Sequence, residues 1–347
     1  MTKILSIDLG KFKSVACMYQ QNAQPVFRTF ATTPAALHDL LVELEPDRVV
    51  IEVCGIAGWI HDLCVSLDLP IAVVDTRHEA WRWNKVKRKT DRDDALKLAR
   101  LAAADDISTV HMPERGTRQW RSAITYRHTL VDRRTAIKNT IRCLIDVQGL
   151  RMPVGTKAWS PKGLAWLRDQ ARDVRECDRD ELWRGQLDSE LHALADADAR
   201  VIAMDAALDA LAAADERVQR LKTSPGVGNR MAELIVAVIA DPHRFKNGRE
   251  VGAYAGLVPR EFQPGMMQRA GRITKQGPAV LRRLLVQIAW GMKRRSARVS
   301  ALFERLTHGQ RTRRKKAIVA RLHGDLLGSQ AIGYGSGATS RLSWRSR

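Results

Sequence analysis

The chain has 347 residues, enough for two or three domains with cores of their own, and 45% of them are hydrophobic, which excludes an extended disordered protein. Lysine and arginine number 58 against 38 acidic residues, and the formal charge of +20 indicates a polyanionic partner, nucleic acid first. The alternative is a basic protein kept soluble by its charge or held at an anionic membrane, but no amphipathic anchor is apparent.

The five cysteines are scattered without a CxxC spacing, so neither a disulfide framework nor a zinc site is indicated and a reducing cytoplasm fits best. The N-terminus has no apolar signal core, and no apolar run reaches the ~18 residues that would span a bilayer. We therefore expect a soluble cytoplasmic protein, associated with the nucleoid and not with a membrane.

Residues 1–110 predict an α/β domain with the element order βββαβαβ. Three strands form a meander, and later strands are joined by helices, which gives a mixed sheet with flanking helices. This is the chain order of the ribonuclease H and RuvC type of nuclease fold. The predicted elements in chain order are the strands "KILSIDL", "VACMYQ" and "PVFRTFAT", the helix "TPAALHDLLVELE", the strand "DRVVIEVCG", the helix "GWIHDLCVSLDL" and the strand "PIAVVDT".

Residues 111–222 predict a long helical segment, with one basic and one Ala-rich helix candidate. The second helix carries apolar residues at spacings of three, four and seven, which suit either a partner helix within the chain or a dimer seam. These residues are Leu187, Leu191, Leu194, Val201, Met204, Leu208 and Leu211. A mostly α C-terminal domain is predicted over 223–327, and the Gly/Ser/Arg-rich residues 328–347 predict a disordered tail.

Two acidic residues occur in predicted strands whose other residues are mostly apolar and are expected to be buried. Asp8 follows "KILSI", and Glu52 lies inside "VVIEVC". An ionised carboxylate in an apolar strand is unfavourable by several kcal/mol unless it is paired or bound to a cation. A structural ion pair is one interpretation of each residue; a shared cation site is the other.

A third acidic stretch, "KTDRDDALKLARLA", predicts a helix that begins near Asp91. Asp91 and Asp94 then share one face at i and i+3, while Asp93 points about 100° away from Asp94. Asp91, Asp94 and the two strand acids make four negative charges, which match two Mg²⁺ ions, with Mn²⁺ as a substitute. The alternative is that these acids are counter-charges to the basic run "RHEAWRWNKVKRK" just before them.

The stretches "SIDLGKFKS", "IEVCGIAGWI" and "KTDRDDALKLA", in this order, resemble the three acidic motifs of the DEDD transposases in the insertion-sequence family numbered one hundred and ten, related to the pilin-gene invertase. By this resemblance Asp8, Glu52, Asp91 and Asp94 are the catalytic, metal-binding tetrad. The resemblance also implies cleavage and exchange of DNA strands guided by a structured RNA, in a homo-oligomer that is a dimer or a tetramer.

The C-terminal half continues the resemblance to about residue 320. "TSPGVGNRM" resembles the turn of a helix-hairpin-helix, whose backbone N–H groups at Gly226 and Gly228 would grip a phosphate; an ordinary helix connection is the alternative. The family carries a nucleophilic serine shortly after "AGLVP", and counting places it at Pro264, which has no hydroxyl. Thr274 is the nearest downstream hydroxyl. The end of the chain also departs from the family pattern.

Clusters of basic residues predict contacts with phosphates and a steep salt dependence of binding. Trp81, Trp83 and Trp120 lie among these clusters and either stack on bases or pack in the core. The predicted nucleic-acid-binding side chains are Lys85, Lys87, Arg88, Lys89, Arg282, Arg283, Arg313, Arg314, Lys315 and Lys316. Three functions remain open: a recombinase, a RuvC-like nuclease in which the tetrad activates water, and a nucleic-acid-binding relic that lost strand exchange at Pro264.

Overall fold

The computed structural model describes residues 2–75, 90–153, 155–224, 226–262 and 269–320. The chain divides into two compact units, Met1–Gly116 and Thr117–Arg347. Within the described ranges, no helix is both long enough and apolar enough to cross a membrane.

The first unit is built on a five-stranded sheet with the order β3-β2-β1-β4-β5. The predicted meander is present, because β2 pairs antiparallel with both β1 and β3, and the helix-connected strands β1, β4 and β5 are parallel. The fold is therefore a mixed α/β sheet with helices. The elements are β1 (Ile4–Asp8), β2 (Lys13–Tyr19), β3 (Val26–Ala31), α1 (Pro34–Leu44), β4 (Arg48–Glu52), α2 (Ala57–Ser66), β5 (Ile71–Val74) and α3 (Asp91–Ala103).

The two faces of this sheet are covered by different helices because side chains alternate along each strand. Leu5, Ile7 and Val49 point to one side, where they pack with the buried residues of α1 and α2. Ile4 and Val50 point to the other side, where they pack with α3. The alternation therefore decides which strand residues share a face with α3.

The second unit contains a pair of long helices, α4 (Arg115–Val147, from its third residue on) and α6 (Leu182–Ala214), with α5 (Pro161–Gln170) between them in sequence. Arg127 bonds to Asp205 at 2.9 Å and Arg134 to Asp198 at 3.1 Å. From Arg127 to Arg134 the position on α4 advances by seven residues, while the position of the partner on α6 moves back by seven. The two helices therefore run antiparallel and meet every two turns.

The apolar spacing on α6 is mostly used inside the chain. Leu187 and Leu194 pack with Ile141 and Ile145 of α4 in one buried cluster. Val201 and Leu208 are buried as well, whereas Leu211 is 53% exposed. Of the two interpretations of this seam, packing against a partner helix within the chain describes most of its residues.

Elements that follow the helical pair in sequence share a hydrophobic core with it. The main core of this unit contains Ile124 of α4, Leu208 of α6 and Ile235 of α8, so it crosses the predicted domain boundary at residue 222. A short hairpin, β6 with β7, was not anticipated from the sequence. The elements are α7 (Glu216–Lys222), α8 (Asn229–Ile239), α9 (Gly248–Tyr254), β6 (Pro259–Phe262), β7 (Arg269–Ile273), α10 (Ala279–Arg295), α11 (Ala297–Thr307) and α12 (Arg314–Ala320).

Helix α8 is the central element of this core, with residues 232–239 all buried. Its C-terminal carbonyl groups accept hydrogen bonds from the guanidinium groups of Arg121, Arg217 and Arg244. Three cations at this end complement the negative end of the helix dipole and satisfy carbonyls that the helix leaves unpaired. Some of the basic residues therefore serve folding and not a polyanion.

Candidate active site at the carboxyl edge of the first sheet

Asp8 and Glu52 are the last residues of two neighbouring parallel strands, β1 and β4. The register pairs Ser6 with Val50 and Ile7 with Ile51, and its next step places Asp8 beside Glu52. Neighbouring strands lie roughly 5 Å apart, so the two backbones bring these acids together. Both side chains are half-buried, because each strand ends here and not deep in the core.

Helix α3 runs antiparallel to β1 across the face that carries Asp8. Leu98 and Ala102 near its C-terminal end pack with Ile4 at the start of β1, and Ala95 lies beside Ser6. Continuing one turn toward the helix N-terminus leads toward the end of β1. The first turn of α3, with Asp91 and Asp94, is therefore directed to the same edge of the sheet as Asp8 and Glu52.

Asp93 has a different role from Asp91 and Asp94. Its side chain accepts hydrogen bonds from the backbone N–H and the hydroxyl of Thr90 at 3.2 and 2.6 Å, and Thr90 Oγ1 accepts from the Asp93 N–H. This reciprocal arrangement is a capping box, which fixes the start of the helix. Asp93 therefore orders the turn that presents Asp91 and Asp94, with Asp91 exposed and Asp94 half-buried.

A buried serine, which the sequence analysis missed, holds this arrangement together. Ser6 is fully buried, and its hydroxyl donates to the carbonyl oxygen of Ala95 at 2.6 Å. The bond joins β1 to α3 one helical turn after Asp91 and two strand residues before Asp8. The signal was available, since a polar residue between Ile4 and Asp8 at a two-residue period must share their face.

The donor set at this edge fits a hard divalent cation by its chemistry, because carboxylate oxygens are the ligands that Mg²⁺ and Mn²⁺ take. The fold brings the four acids to one edge by their backbone positions. Across the described ranges, however, no group of three or more His, Cys, Asp or Glu side chains is arranged so that it could hold a metal ion. The two-ion site stays a prediction.

The basic residues predicted to bind nucleic acid have several positions. Four of them, together with two of the tryptophans, lie outside the described residues: Lys85, Lys87, Arg88, Lys89, Trp81 and Trp83.

The other predicted residues lie in the second unit. Arg283 is exposed on α10, whereas Arg282 is half-buried and donates to the carbonyl oxygen of Ala255 at 3.0 Å. The exposed tract at and before α12 consists of Arg313, Arg314, Lys315 and Lys316. Trp120 packs against the core of the second unit.

The two glycines of the "PGVG" turn differ in their surroundings. Gly226 has φ +91°, and a Cβ there would lie 3.2 Å from the backbone of Gly291 in α10, so this glycine is needed for close packing. Gly228 is exposed, has open space around it and begins α8 as its N-cap. Of the two, Gly228 has the position that an anion could approach.

Pro264, where the family serine is expected, lies outside the described residues, in the connection between β6 and β7. Close backbone contacts build the base of this hairpin, where a Cβ at Gly256 would lie 2.0 Å from the carbonyl oxygen of Gln276. Thr274 follows β7, and its hydroxyl oxygen is buried. A buried oxygen is not presented to a DNA strand, so Thr274 has no position that favours it as a substitute nucleophile.

A family model described as "Transposase", for the DEDD group of IS110, matches residues 5–148, which include all four acids. A second model, described as "Transposase IS116/IS110/IS902 family", matches residues 218–304. The two models together cover the sheet unit and most of the C-terminal region.

Curated relatives agree with the models. The chain is 30% identical over 290 residues to "Probable family 20 transposase" of Pseudomonas aeruginosa, covering 82% of this chain and 83% of that protein. It is 27% identical over 292 residues to "Transposase for insertion sequence element IS1111A" of Coxiella burnetii, covering 84% and 78%. The chain belongs to the IS110 family of insertion-sequence transposases and is an enzyme of the transposase class.

Proposed function

We propose that this transposase cleaves and exchanges DNA strands at the carboxyl edge of its first sheet, with Asp8, Glu52, Asp91 and Asp94 as the metal-binding tetrad. One observation carries the proposal: three separate elements, β1, β4 and α3, direct acidic residues from distant parts of the sequence to a single edge. Four like charges repel one another, and divalent cations would draw them together.

The residues of this edge would have distinct roles. Asp8 and Glu52 end rigid neighbouring strands, and they would hold the ions in a fixed place relative to the sheet. Asp94, half-buried on α3, would supply a further carboxylate to the ions, and Asp91, which is exposed, would supply one from the solvent side. Two bound Mg²⁺ ions would activate the attacking oxygen and stabilise the leaving oxygen of a phosphodiester.

We include in this proposal the nuclease fold, the guide RNA and the oligomer that the family resemblance implies. The sheet unit would be a RuvC-like nuclease domain, and the mixed strand order supports this. A structured RNA would select the DNA sites, in a cytoplasmic, nucleoid-associated homo-oligomer. The net charge of +20 supports a nucleic-acid partner of either kind.

Pro264 favours a second candidate, in which this copy binds or cuts DNA but does not exchange strands. Covalent strand transfer needs a side-chain hydroxyl, and proline has none. The tetrad does not depend on that hydroxyl, so a RuvC-like nuclease activity with water would persist. A relic without cleavage would keep only binding.

Recombination of the element's own ends, with Mg²⁺ and the RNA transcribed from its flanks, separates these functions. Under the proposed function we expect wild-type protein to give metal-dependent recombinant junctions. Under the second candidate, wild-type protein gives metal-dependent cuts with free 3′-OH and 5′-phosphate ends, and Pro264→Ser restores the junctions. Junctions formed by the wild type would show that exchange does not need the hydroxyl at this position. Absence of cleavage by both proteins, with DNA binding retained, would overturn the proposed chemistry and favour the relic.

A further inference from the structure

The turn between β1 and β2 presents an aromatic side chain to solvent. Phe12 is 76% exposed, the largest value among the exposed large hydrophobic residues of the described ranges. A single exposed apolar side chain is ordinary on a protein surface. This one differs in its rigid support, its charged neighbours and its place four residues after Asp8.

The backbone under Phe12 is fixed on both sides. A Cβ at Gly10 would lie 2.1 Å from the carbonyl oxygen of Lys13, so the chain folds back tightly and only glycine fits there. The carbonyl oxygen of Phe12 accepts a hydrogen bond from the Thr32 N–H at 3.0 Å, and the Ser14 and Thr32 hydroxyls are 2.7 Å apart. The aromatic ring is therefore presented by an ordered turn, which lowers the entropy lost on binding.

Lysines precede and follow Phe12 in the sequence. Lys11 Nζ lies 5.1 Å from the centre of the Phe12 ring, within the range of a cation–π contact. Lys13 begins β2, and because Val15 pairs with Asp8, the two-residue period places Lys13 on the face of the sheet that carries Asp8 and α3. An exposed ring with one cation against it and a second at the next position of the turn has the composition of a single-stranded nucleic-acid contact, where bases stack and phosphates are neutralised.

We propose that the Gly10–Lys13 turn is a contact surface for the DNA strand that enters the carboxylate edge. Phe12 stacks on an unpaired base of that strand, and Lys11 and Lys13 contact the phosphates on either side of it. The inference rests on the proposed function, because the turn and the tetrad share the carboxyl edge of the sheet. It adds a residue that holds the strand without taking part in the chemistry.

The test is binding of full-length protein to a single-stranded oligodeoxynucleotide that contains 2-aminopurine. The binding is measured in EDTA, so that it does not depend on cleavage, and at one salt concentration. We expect wild-type protein to quench the 2-aminopurine emission, Phe12→Trp to keep the quenching, and Phe12→Ala and Phe12→Leu to lose it with about tenfold weaker affinity. Val42→Ala, an exposed apolar residue on α1 of the same unit, is the matched control and should bind like wild type. Thermal unfolding should be unchanged in Phe12→Ala.

The outcomes separate the inference from the proposed function. Equal affinity and equal quenching for wild type and Phe12→Ala would overturn the inference alone. An effect confined to a matched RNA strand would assign the turn to RNA and contradict the DNA assignment. Loss of self-association in Phe12→Ala, with DNA affinity intact, would make the turn a contact between copies of the chain. No binding of wild type to any nucleic acid would overturn the proposed function together with the inference.

Discussion

The two units of this protein use acidic side chains in opposite ways. At the edge of the first sheet, acids stand at two strand ends and in the first turn of α3, where three elements meet. In the second unit, acids lie along or next to helices and opposite arginines. There Arg230 bonds to Asp205 at 3.0 Å, to Asp209 at 2.8 Å and to the fully buried Glu233 at 2.8 Å.

The second group is structural because each of its contacts joins two helices or fixes a helix turn. Burial raises the pKa of Glu233, and the hydrogen bonds from Arg230 oppose that rise. Such an acid needs its arginine, since an unpaired buried charge costs several kcal/mol. The difference shows that acidity alone does not mark a site; the element that carries the acid and the partner opposite it decide its role.

Replacing the acids of α3 one at a time distinguishes a metal ligand from a capping residue. We expect Asp94→Asn to reduce metal-dependent cleavage on the order of a thousandfold, because a ligand oxygen that would bind the cations is lost. Asp93→Asn should leave cleavage within about threefold, because Asp93 serves the capping box, and should lower helix stability by about 1 kcal/mol. Single-turnover cleavage and thermal unfolding measure the two effects, and equal loss of cleavage in both variants would contradict the assignment.

The structural group should respond to acid. Hydrogen bonds from Arg127 hold the pKa of Asp205 below its ordinary value, against the opposing effect of burial. A lowered folded-state pKa contributes stability above the unfolded pKa of about 3.9, and this contribution is lost as the pH falls through the folded value.

We therefore expect Asp205→Asn to cost about 2 kcal/mol at pH 7 and less in acid. Denaturant unfolding between pH 7 and pH 3 measures the difference between the variant and wild type. Asp196→Asn on α6, whose partner Arg200 lies on the same helix at the exposed surface, is the control and should cost at most about 0.5 kcal/mol. A cost for Asp205→Asn that does not shrink toward pH 3 would argue against the ion pair as its cause.

In the first unit, Ser6 supports the acidic edge without being one of its acids. Ser6→Ala removes the hydroxyl that ties α3 to β1, and we expect about tenfold weaker Mn²⁺ binding, as for other residues that orient metal ligands, with about 1 kcal/mol of lost stability. Mn²⁺ titration followed by electron paramagnetic resonance gives the affinity independently of activity. Ser14→Ala, whose hydroxyl on β2 contacts that of Thr32 just after β3, is the control. Equal Mn²⁺ affinity in Ser6→Ala and wild type would remove Ser6 from the support of the site.

Elements whose apolar residues recur at a regular spacing were predicted well from the sequence. The meander, the helices α1 and α2 and the long helical pair all follow from apolar spacing and from residues such as Thr33, which caps α1. The helix start near Asp91 was predicted and is confirmed, whereas the Thr90 cap and the capping box with Asp93 were found only in the structure. The hairpin of β6 and β7 was missed, because its strands are short and are held by backbone contacts of Gly256 and Gly277 that no side-chain period records.

The two-residue and 3.6-residue periods, the net charge and the four acids that resemble a transposase tetrad could all be read from the sequence. Which residues meet required the folded structure: strand register places Asp8 beside Glu52, helix packing places Ala95 beside Ser6, and Arg230 lies among three acids. The reason is that periods arise from the local geometry of the chain, whereas contacts between residues far apart in sequence depend on how whole elements pack.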